Sequence, residues 1–179
     1  DPKGKTGLAS LTMQLLKKGG TKNLTPEKVE EKLDFLGTTI SCYASNEFSQ
    51  IALWTLRKNF DESWKILEDM LFNPLFDKER LDTEKKKELE NIRRRWDYPS
   101  TVGMYLFEEL IYGKDYPETQ RTTSAGIESI TFDDVKNFYE KNIRDAAVIF
   151  AFAGDFNTQE IKELLTNTFK DWKGKAPAK

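Results

Sequence analysis

Two strand-like runs separated by a short turn constrain the fold of this chain more than any other feature. Thr38–Ala44 and Phe48–Leu56 are rich in β-branched and aromatic residues, which favour strands. Residues 45–47 between them are polar and suit a short turn, so we predict an antiparallel hairpin. A third run, Ala146–Phe152, is apolar throughout and predicts a buried strand. Because helices are predicted on both sides of the hairpin, the pattern indicates an α+β fold.

Apolar residues at helical spacing, bounded by start and stop signals, predict the helices. Thr25 followed by Pro26 is a typical helix start, and Gly37 marks the end of that helix. Thr131 with Asp134 forms a capping-box pattern. The predicted helices lie at 7–18, 25–36, 61–72, 77–96, 101–112, 131–139 and 157–169, and residues 113–126 are predicted to form a long loop.

Composition limits the class of protein. A chain of 179 residues with a net charge of −2 fits one domain with no strong attraction to nucleic acid or anionic lipid. No apolar run approaches the roughly 20 residues of a membrane-spanning helix. The basic triplets 85–87 and 93–95 spread around one helix among glutamates, so we interpret them as an exposed, salt-bridged face. The single cysteine, Cys42, is interpreted as a small buried residue.

The chain contains no histidine, although it has 28 Lys and Arg and 30 Asp and Glu residues. Histidine is the commonest metal ligand and the usual acid or base near neutral pH. Its absence removes Ser-His-Asp and Cys-His catalysis and histidine-based zinc sites. No calcium-loop pattern is present among the carboxylates. The residues alone therefore predict no catalytic and no metal-binding group in this chain.

The order of several motifs resembles a known family. The run from Leu8 to Thr21 is followed by Leu33–Gly37, Gly126–Ile130, Asp134–Tyr139 and a strand ending at Asp155. This order is similar to the N-terminal-type domain of the M16 peptidases, the family of pitrilysin, insulin-degrading enzyme and mitochondrial processing peptidase. The resemblance implies a LuxS/MPP-like two-layer sandwich, with an antiparallel sheet covered by helices on one face. It also implies opening strands before Asp1, which we expect this sheet to lack.

The same resemblance locates the positions of a zinc motif. Active M16 members carry His-x-x-Glu-His on the first helix, and a glutamate on a later helix is the third ligand. Matching the family pattern places Ser10, Met13 and Gln14 at the motif positions and Asn91 at the later ligand, with Glu90 one residue away. Ser, Met, Gln and Asn do not bind zinc at ordinary affinity. We therefore expect a degenerate motif, with zinc only in a catalytic partner or relative.

Degenerate members of this family resemble partners of zinc-bearing chains. We therefore expect this chain to help enclose peptides in a homo- or hetero-oligomer, together with a zinc-bearing M16 subunit or the second half of a longer parent chain. Tyr43, Phe48 and Trp54 are candidate peptide-binding residues on the hairpin, and the alternative is that they belong to the core. Two other functions remain open: an active zinc peptidase whose motif lies elsewhere in the parent chain, and a structural subunit of a larger complex.

The two ends of the sequence indicate a piece of something longer. The chain begins Asp1-Pro2 without an initiator Met or a signal-peptide pattern. Residues 173–179 are polar and are predicted to begin a linker, so a single domain is expected over 1–172. The compartment stays open, because bacterial cytoplasm and periplasm are both compatible with this sequence.

Overall fold

A computed structural model describes residues 1–144 and 146–174. The strands are β1 (Thr39–Ala44) and β2 (Ser49–Trp54). The helices are α1 (Leu8–Lys18), α2 (Pro26–Phe35), α3 (Phe60–Phe72), α4 (Lys78–Arg94), α5 (Pro99–Tyr112), α6 (Ser124–Ser129), α7 (Phe132–Phe138) and α8 (Thr158–Thr168). Short 3-10 turns occupy Arg57–Asn59, Arg95–Asp97 and Pro117–Thr119, and α7 continues into a π-helical turn over Tyr139–Arg144.

Side-chain caps set the starts of several helices, as the sequence predicts. The Thr25 hydroxyl accepts a hydrogen bond from the Lys28 amide before α2. The capping box before α7 is complete, because the Thr131 hydroxyl accepts from the Asp134 amide and the Asp134 carboxylate accepts from the Thr131 amide. Asn157 caps α8 through its side-chain oxygen. These local signals explain why the helix starts are predictable from the sequence.

The predicted hairpin is confirmed. β1 and β2 pair antiparallel with a register that runs from Thr39 opposite Trp54 to Ala44 opposite Ser49. The side chains of Ile40 and Cys42 point to the inner face and are buried, and α1 packs against β1. The α+β class, with helices on one face of an antiparallel sheet, is therefore confirmed.

Helix α1 lies at the centre of the core, where it contacts β1, α3, α4 and α7. It runs antiparallel to α4: Lys18 at its end forms an ion pair with Glu84, at 3.1 Å between Nζ and Oε2. At its start, Gly7 lies against Thr122, whose carbonyl oxygen accepts a hydrogen bond from Arg95 at the far end of α4. Burial alone would raise the pKa of Glu84, but hydrogen bonds from Lys87 and Lys18 lower it.

An aromatic cluster forms a second part of the core between α3 and α8. Trp64 on α3 packs against Phe152 and Phe169, and its indole N–H donates to the Thr168 hydroxyl at 3.2 Å. Phe150 also packs on Phe169. This cluster fixes the segment after residue 146 against the helices.

The predicted strand Ala146–Phe152 is wrong for the residues that the structure describes, which place no strand there. Phe152 packs on Trp64 and the partly exposed Phe150 contacts Phe169, whereas Ile149 is almost fully exposed. A run of β-branched and aromatic residues favours an extended conformation. A β-strand also requires backbone hydrogen bonds to a neighbouring strand. The sheet has two strands in the described part of the chain, fewer than the three predicted.

Two helical predictions also need correction. Residues 113–126 are not loop throughout, because α6 begins at Ser124 with a hydrogen bond from the Gly126 amide to the Thr123 hydroxyl. The helix predicted to end at residue 96 ends at Arg94 and continues as a 3-10 turn. Residues 175–179 of the predicted linker lie outside the described residues.

Helix α5 has the predicted apolar residues but buries none of its side chains. Met104, Phe107, Leu110 and Ile111 are all more than half exposed, and Leu110 is 84% exposed. The helix packs mainly on the two short turns 95–97 and 117–119 and not on the central core. The helix therefore forms as predicted, but its apolar side chains are not buried.

Candidate functional site

The three motif positions on α1 have very different surroundings. At spacings of three and four residues, Ser10, Met13 and Gln14 share one side of the helix. Ser10 is exposed and Gln14 is half-buried. Met13, however, is only 1% exposed and belongs to the hydrophobic core. The position that the M16 resemblance matches to the catalytic glutamate is thus a packing position in this structure.

Asn91 lies on the exposed side of α4. Because α1 and α4 are antiparallel and Lys18 pairs with Glu84, the start of α1 lies level with the part of α4 around Asn91. The Asn91 amide donates to Glu88 at 3.3 Å. The neighbouring Glu90 is exposed and pairs with Arg93 at 3.7 Å between carboxylate and guanidinium. The structure therefore brings the expected motif helices together, but with an amide in place of a carboxylate ligand.

The residues at this helix pair do not fit zinc. The described residues contain no group of three or more His, Cys, Asp or Glu side chains that could hold a metal ion. The thiol of Cys42 is on the inner face of the sheet, and burial raises its pKa to about 12, so it is not a thiolate near neutral pH. Serine, thioether and amide groups remain at the motif positions, and these are poor zinc ligands.

The hairpin presents the other candidate residues on its outer face. Directly opposite residues of paired strands share a face, so Tyr43 on β1 and Trp54 on β2 both point away from the helices. Phe48 closes the turn, where its carbonyl oxygen accepts from the Ser45 amide at 2.8 Å. The exposed fractions are 56% for Tyr43, 57% for Phe48 and 59% for Trp54. These aromatics are therefore surface residues and not core residues.

Small residues separate the aromatics along this outer face. Ser41 lies opposite Ala52 in the middle of the hairpin. Tyr43 and Phe48 lie at the turn end and Trp54 lies at the other end, about 13 Å away at the rise of a β-strand. The outer face therefore carries exposed aromatic residues at both ends and small residues between them.

A polar cavity of about 370 Å³ adjoins Asn91 at the junction of α4 and α5. Arg94 and Arg95 contribute to its wall. The sequence interpretation of residues 93–95 as an exposed face missed this cavity, because Pro99 marks the start of α5 but does not show that α5 lines the same cavity as α4. The sequence feature that points to this cavity is the position of two arginines, three and four residues after Asn91.

Two family models match the sequence. Residues 1–120 match the model described as insulinase (peptidase family M16), which is about two thirds of the chain. The chain belongs to the M16 peptidase family. Residues 129–179 match the model described as the peptidase M16 inactive domain. The resemblance that the motifs indicate is therefore confirmed, including the relation to inactive members.

Individual relatives agree with this assignment. The mitochondrial-processing peptidase subunit beta of Dictyostelium discoideum is 24% identical over 172 residues, which covers 93% of this chain and 36% of that protein. The non-peptidase homolog YmxG of Helicobacter pylori is 25% identical over 166 residues, which covers 92% of this chain and 38% of that protein. The chain thus spans little more than a third of the length of these relatives.

A solved structure shows the same fold. The crystal structure of a peptidase M16 inactive domain from Pseudomonas fluorescens superposes with a TM-score of 0.87 at 20% identity, and the match covers 99% of this chain and 44% of that chain. Among the helices that the structure describes, none is both long enough and apolar enough to cross a bilayer.

Proposed function

We propose that this M16 domain is non-catalytic and binds peptide segments together with a zinc-bearing M16 partner or the second half of its parent chain. The absence of catalysis is supported by the match to the inactive-domain model and by the chemistry of the motif positions. Met13 is packed in the core and Asn91 is an amide, so the motif positions on α1 and α4 hold neither zinc ligands nor a carboxylate that could activate water.

The outer face of the hairpin carries the peptide-binding part of the proposal. Tyr43 and Trp54 share the outer face of the two-stranded sheet, Phe48 lies at its turn, and all three are more than half exposed. Exposed aromatic side chains are costly to leave in water and are enriched at binding surfaces. A ligand that covers them gains apolar burial without any change in the core. This exposed aromatic face is the observation on which the proposal rests.

The role of a partner follows from what the site lacks. A domain that holds a peptide but has no zinc ligands needs a second component for any hydrolysis. The relatives include a subunit of a processing peptidase, as its name states, and such a subunit works beside another chain. We therefore propose a homo- or hetero-oligomer in which the zinc-bearing component contributes the reaction and this domain contributes peptide binding.

Peptide binding is tested by fluorescence anisotropy with a labelled, unstructured peptide that contains aromatic residues. The double variant Tyr43→Ala/Trp54→Ala should weaken binding by at least about tenfold, because each interfacial aromatic can contribute 1–2 kcal/mol or more. The matched control is Phe35→Ala, since Phe35 is an 89% exposed aromatic at the end of α2 and is not part of the hairpin.

Two results would contradict the proposal. Equal weakening by the hairpin variant and the Phe35 control would show that the outer face has no special role. Cleavage of the peptide by the wild-type chain that o-phenanthroline abolishes, in a sample free of contaminating peptidase, would show that the domain is catalytic.

A further inference from the structure

The cavity at the junction of α4 and α5 has a cationic wall. Arg94, Arg95 and Tyr98 follow Asn91 by three, four and seven residues, and all four line the cavity along the end of α4 and the 3-10 turn after it. Glu88 also lines it. The extended backbone at Tyr98 then redirects the chain into α5.

The opposite wall comes from α5. Thr101 and Tyr105 are four residues apart and share a face of this helix, toward the cavity. Their hydroxyl groups, with that of Tyr98, add neutral hydrogen-bond donors to the two guanidinium groups. The start of α5 has no acidic residue in its first turn, so the helix dipole adds to the positive potential at this wall.

Each arginine of the wall donates one side-chain hydrogen bond within the described residues, and the Arg95 guanidinium also lies 6.0 Å from the centre of the Tyr105 ring. Arg94 donates to the Tyr98 hydroxyl at 3.3 Å, and Arg95 donates to the Thr122 carbonyl oxygen at 2.9 Å. The ion pairs formed within the described residues include neither of them. By contrast, Arg93 pairs with Glu90, outside this cavity. A guanidinium carries five N–H donors, so each wall arginine can accommodate a further acceptor.

We propose that this cavity binds one carboxylate group of a peptide. The guanidinium fork matches the geometry of a carboxylate and can bind it through two parallel hydrogen bonds. The ionisable side chains of the wall are two arginines and Glu88, so their net charge is +1. This charge is matched to a singly charged carboxylate and disfavours a doubly charged phosphate, which the Glu88 carboxylate would repel.

The inference deepens the proposed function, because it names an acidic group as part of the peptide class. The same charge bears on the Asn91 position, which the family pattern matches to the third zinc ligand. A positive wall repels a metal cation and attracts an anion, so this position favours an anion over zinc.

The test uses three ten-residue peptides that differ only in charge: one with a single Glu and an amidated end, one with Gln and a free carboxylate end, and one with Gln and an amidated end. Anisotropy on the wild-type chain should give tighter binding, by about tenfold, for one or both carboxylate peptides, as expected for a hydrogen bond to a charged group. The peptide that benefits identifies the source of the carboxylate.

The variant Arg94→Gln should remove this tenfold advantage and leave the uncharged peptide unaffected. The control Arg93→Gln makes the same charge change one residue away and should alter binding by less than about twofold, as expected for an exposed charge. Equal effects of the two variants, or equal wild-type binding of all three peptides, would overturn the carboxylate site while the peptide-binding proposal stands.

A second measurement separates this inference from the proposed function. Nα-acetyl-glutamate N-methylamide is titrated into the isotope-labelled chain, and amide chemical shifts are followed by NMR spectroscopy. Shifts clustered at residues 91–105, absent with the glutamine analogue and in Arg94→Gln, would support the cavity even if no longer peptide binds. No shifts in this region, or stronger shifts with inorganic phosphate, would overturn it.

Discussion

Helix α1 and the β1–β2 hairpin lie against each other, yet they differ in which of their side chains are exposed. Helix α1 buries Leu8, Leu11, Met13, Leu15 and Leu16, and its motif positions offer no zinc ligand. The hairpin buries its inner face and presents aromatics on its outer face. In active relatives the first helix is the catalytic element. In this chain α1 packs the core, whereas the neighbouring sheet leaves aromatic side chains exposed on its outer face.

The largest expected effect comes from placing a glutamate at Met13, the motif position buried on α1. Met13→Glu should lower the free energy of unfolding by about 3 kcal/mol or more at pH 7, because a carboxylate in the core is desolvated and lacks a partner. The same burial raises the pKa of the new carboxyl group, so the loss should be smaller at pH 4. Urea unfolding at both pH values measures this difference.

Gln14→His is the matched control, since Gln14 is half-buried and polar. It should cost less than about 1 kcal/mol. A stable Ser10→His/Met13→Glu/Gln14→His/Asn91→Glu variant that binds zinc and cleaves peptide would break the comparison, because α1 would then still be a catalytic scaffold.

A pair of large-to-small substitutions sharpens the contrast between core and surface. Leu15 has no exposed surface, so Leu15→Ala should lower the free energy of unfolding by about 2–5 kcal/mol. Trp54 is 59% exposed, and Trp54→Ala should cost less than about 1 kcal/mol despite the larger side chain removed. Urea titration of the two variants under identical conditions provides the test, and a similar loss for both would show that the hairpin aromatics belong to the core.

The capping box before α7 predicts a smaller effect with a defined pH dependence. Burial alone would raise the pKa of Asp134, but hydrogen bonds from Lys5 and Thr131 outweigh it and hold the pKa at about 2. Because the folded-state pKa is below the unfolded value near 4, this contribution is present above pH 4 and is lost as the pH falls from 4 to 2.

Asp134→Asn should cost about 1 kcal/mol at pH 7 and remove this acid dependence. Thr131→Ala breaks the same box, so the double variant should lose less than the sum of the single losses. Additive losses measured by thermal or urea unfolding would show that the two side chains act independently.

The smallest expected effect concerns Cys42 on the inner face of the hairpin. Its pKa of about 12 keeps the thiol protonated, so it should not react with a thiol reagent in the folded chain at pH 8. Since the folded pKa exceeds the unfolded value, stability should fall as the pH rises from about 9 toward 12. Reaction in guanidinium provides the positive control, and rapid labelling of the folded chain would place the thiol on an open face.

Local patterns predicted much of the fold. The hairpin, its turn at residues 45–47 and the caps at Thr25, Thr131 and Asn157 all depend on neighbouring residues, and they are confirmed. The apolar segments at α5 and Ala146–Phe152 were less informative. Their sequences show that they favour an apolar or pleated environment, but burial and strand pairing depend on which distant segments lie beside them.

The candidate site also combines features that the sequence predicts with features that depend on distant segments. The motif positions on α1 and α4 were located by the family pattern, and the structure then showed that Met13 is buried. The exposure of Tyr43, Phe48 and Trp54 required the register of the hairpin. The cationic cavity was missed, because Arg94 and Arg95 become parts of one wall only when the turn at 95–97 brings α5 back toward α4.

The most direct test of the central claim is the zinc content of this chain, measured by plasma mass spectrometry on protein purified without a histidine tag. We expect zinc close to zero per chain even after incubation with zinc and removal of the excess, because the motif positions on α1 and α4 hold no zinc ligands. One tightly held zinc per chain, released by o-phenanthroline, would show that the chain has a zinc site and that α1 is a candidate catalytic element.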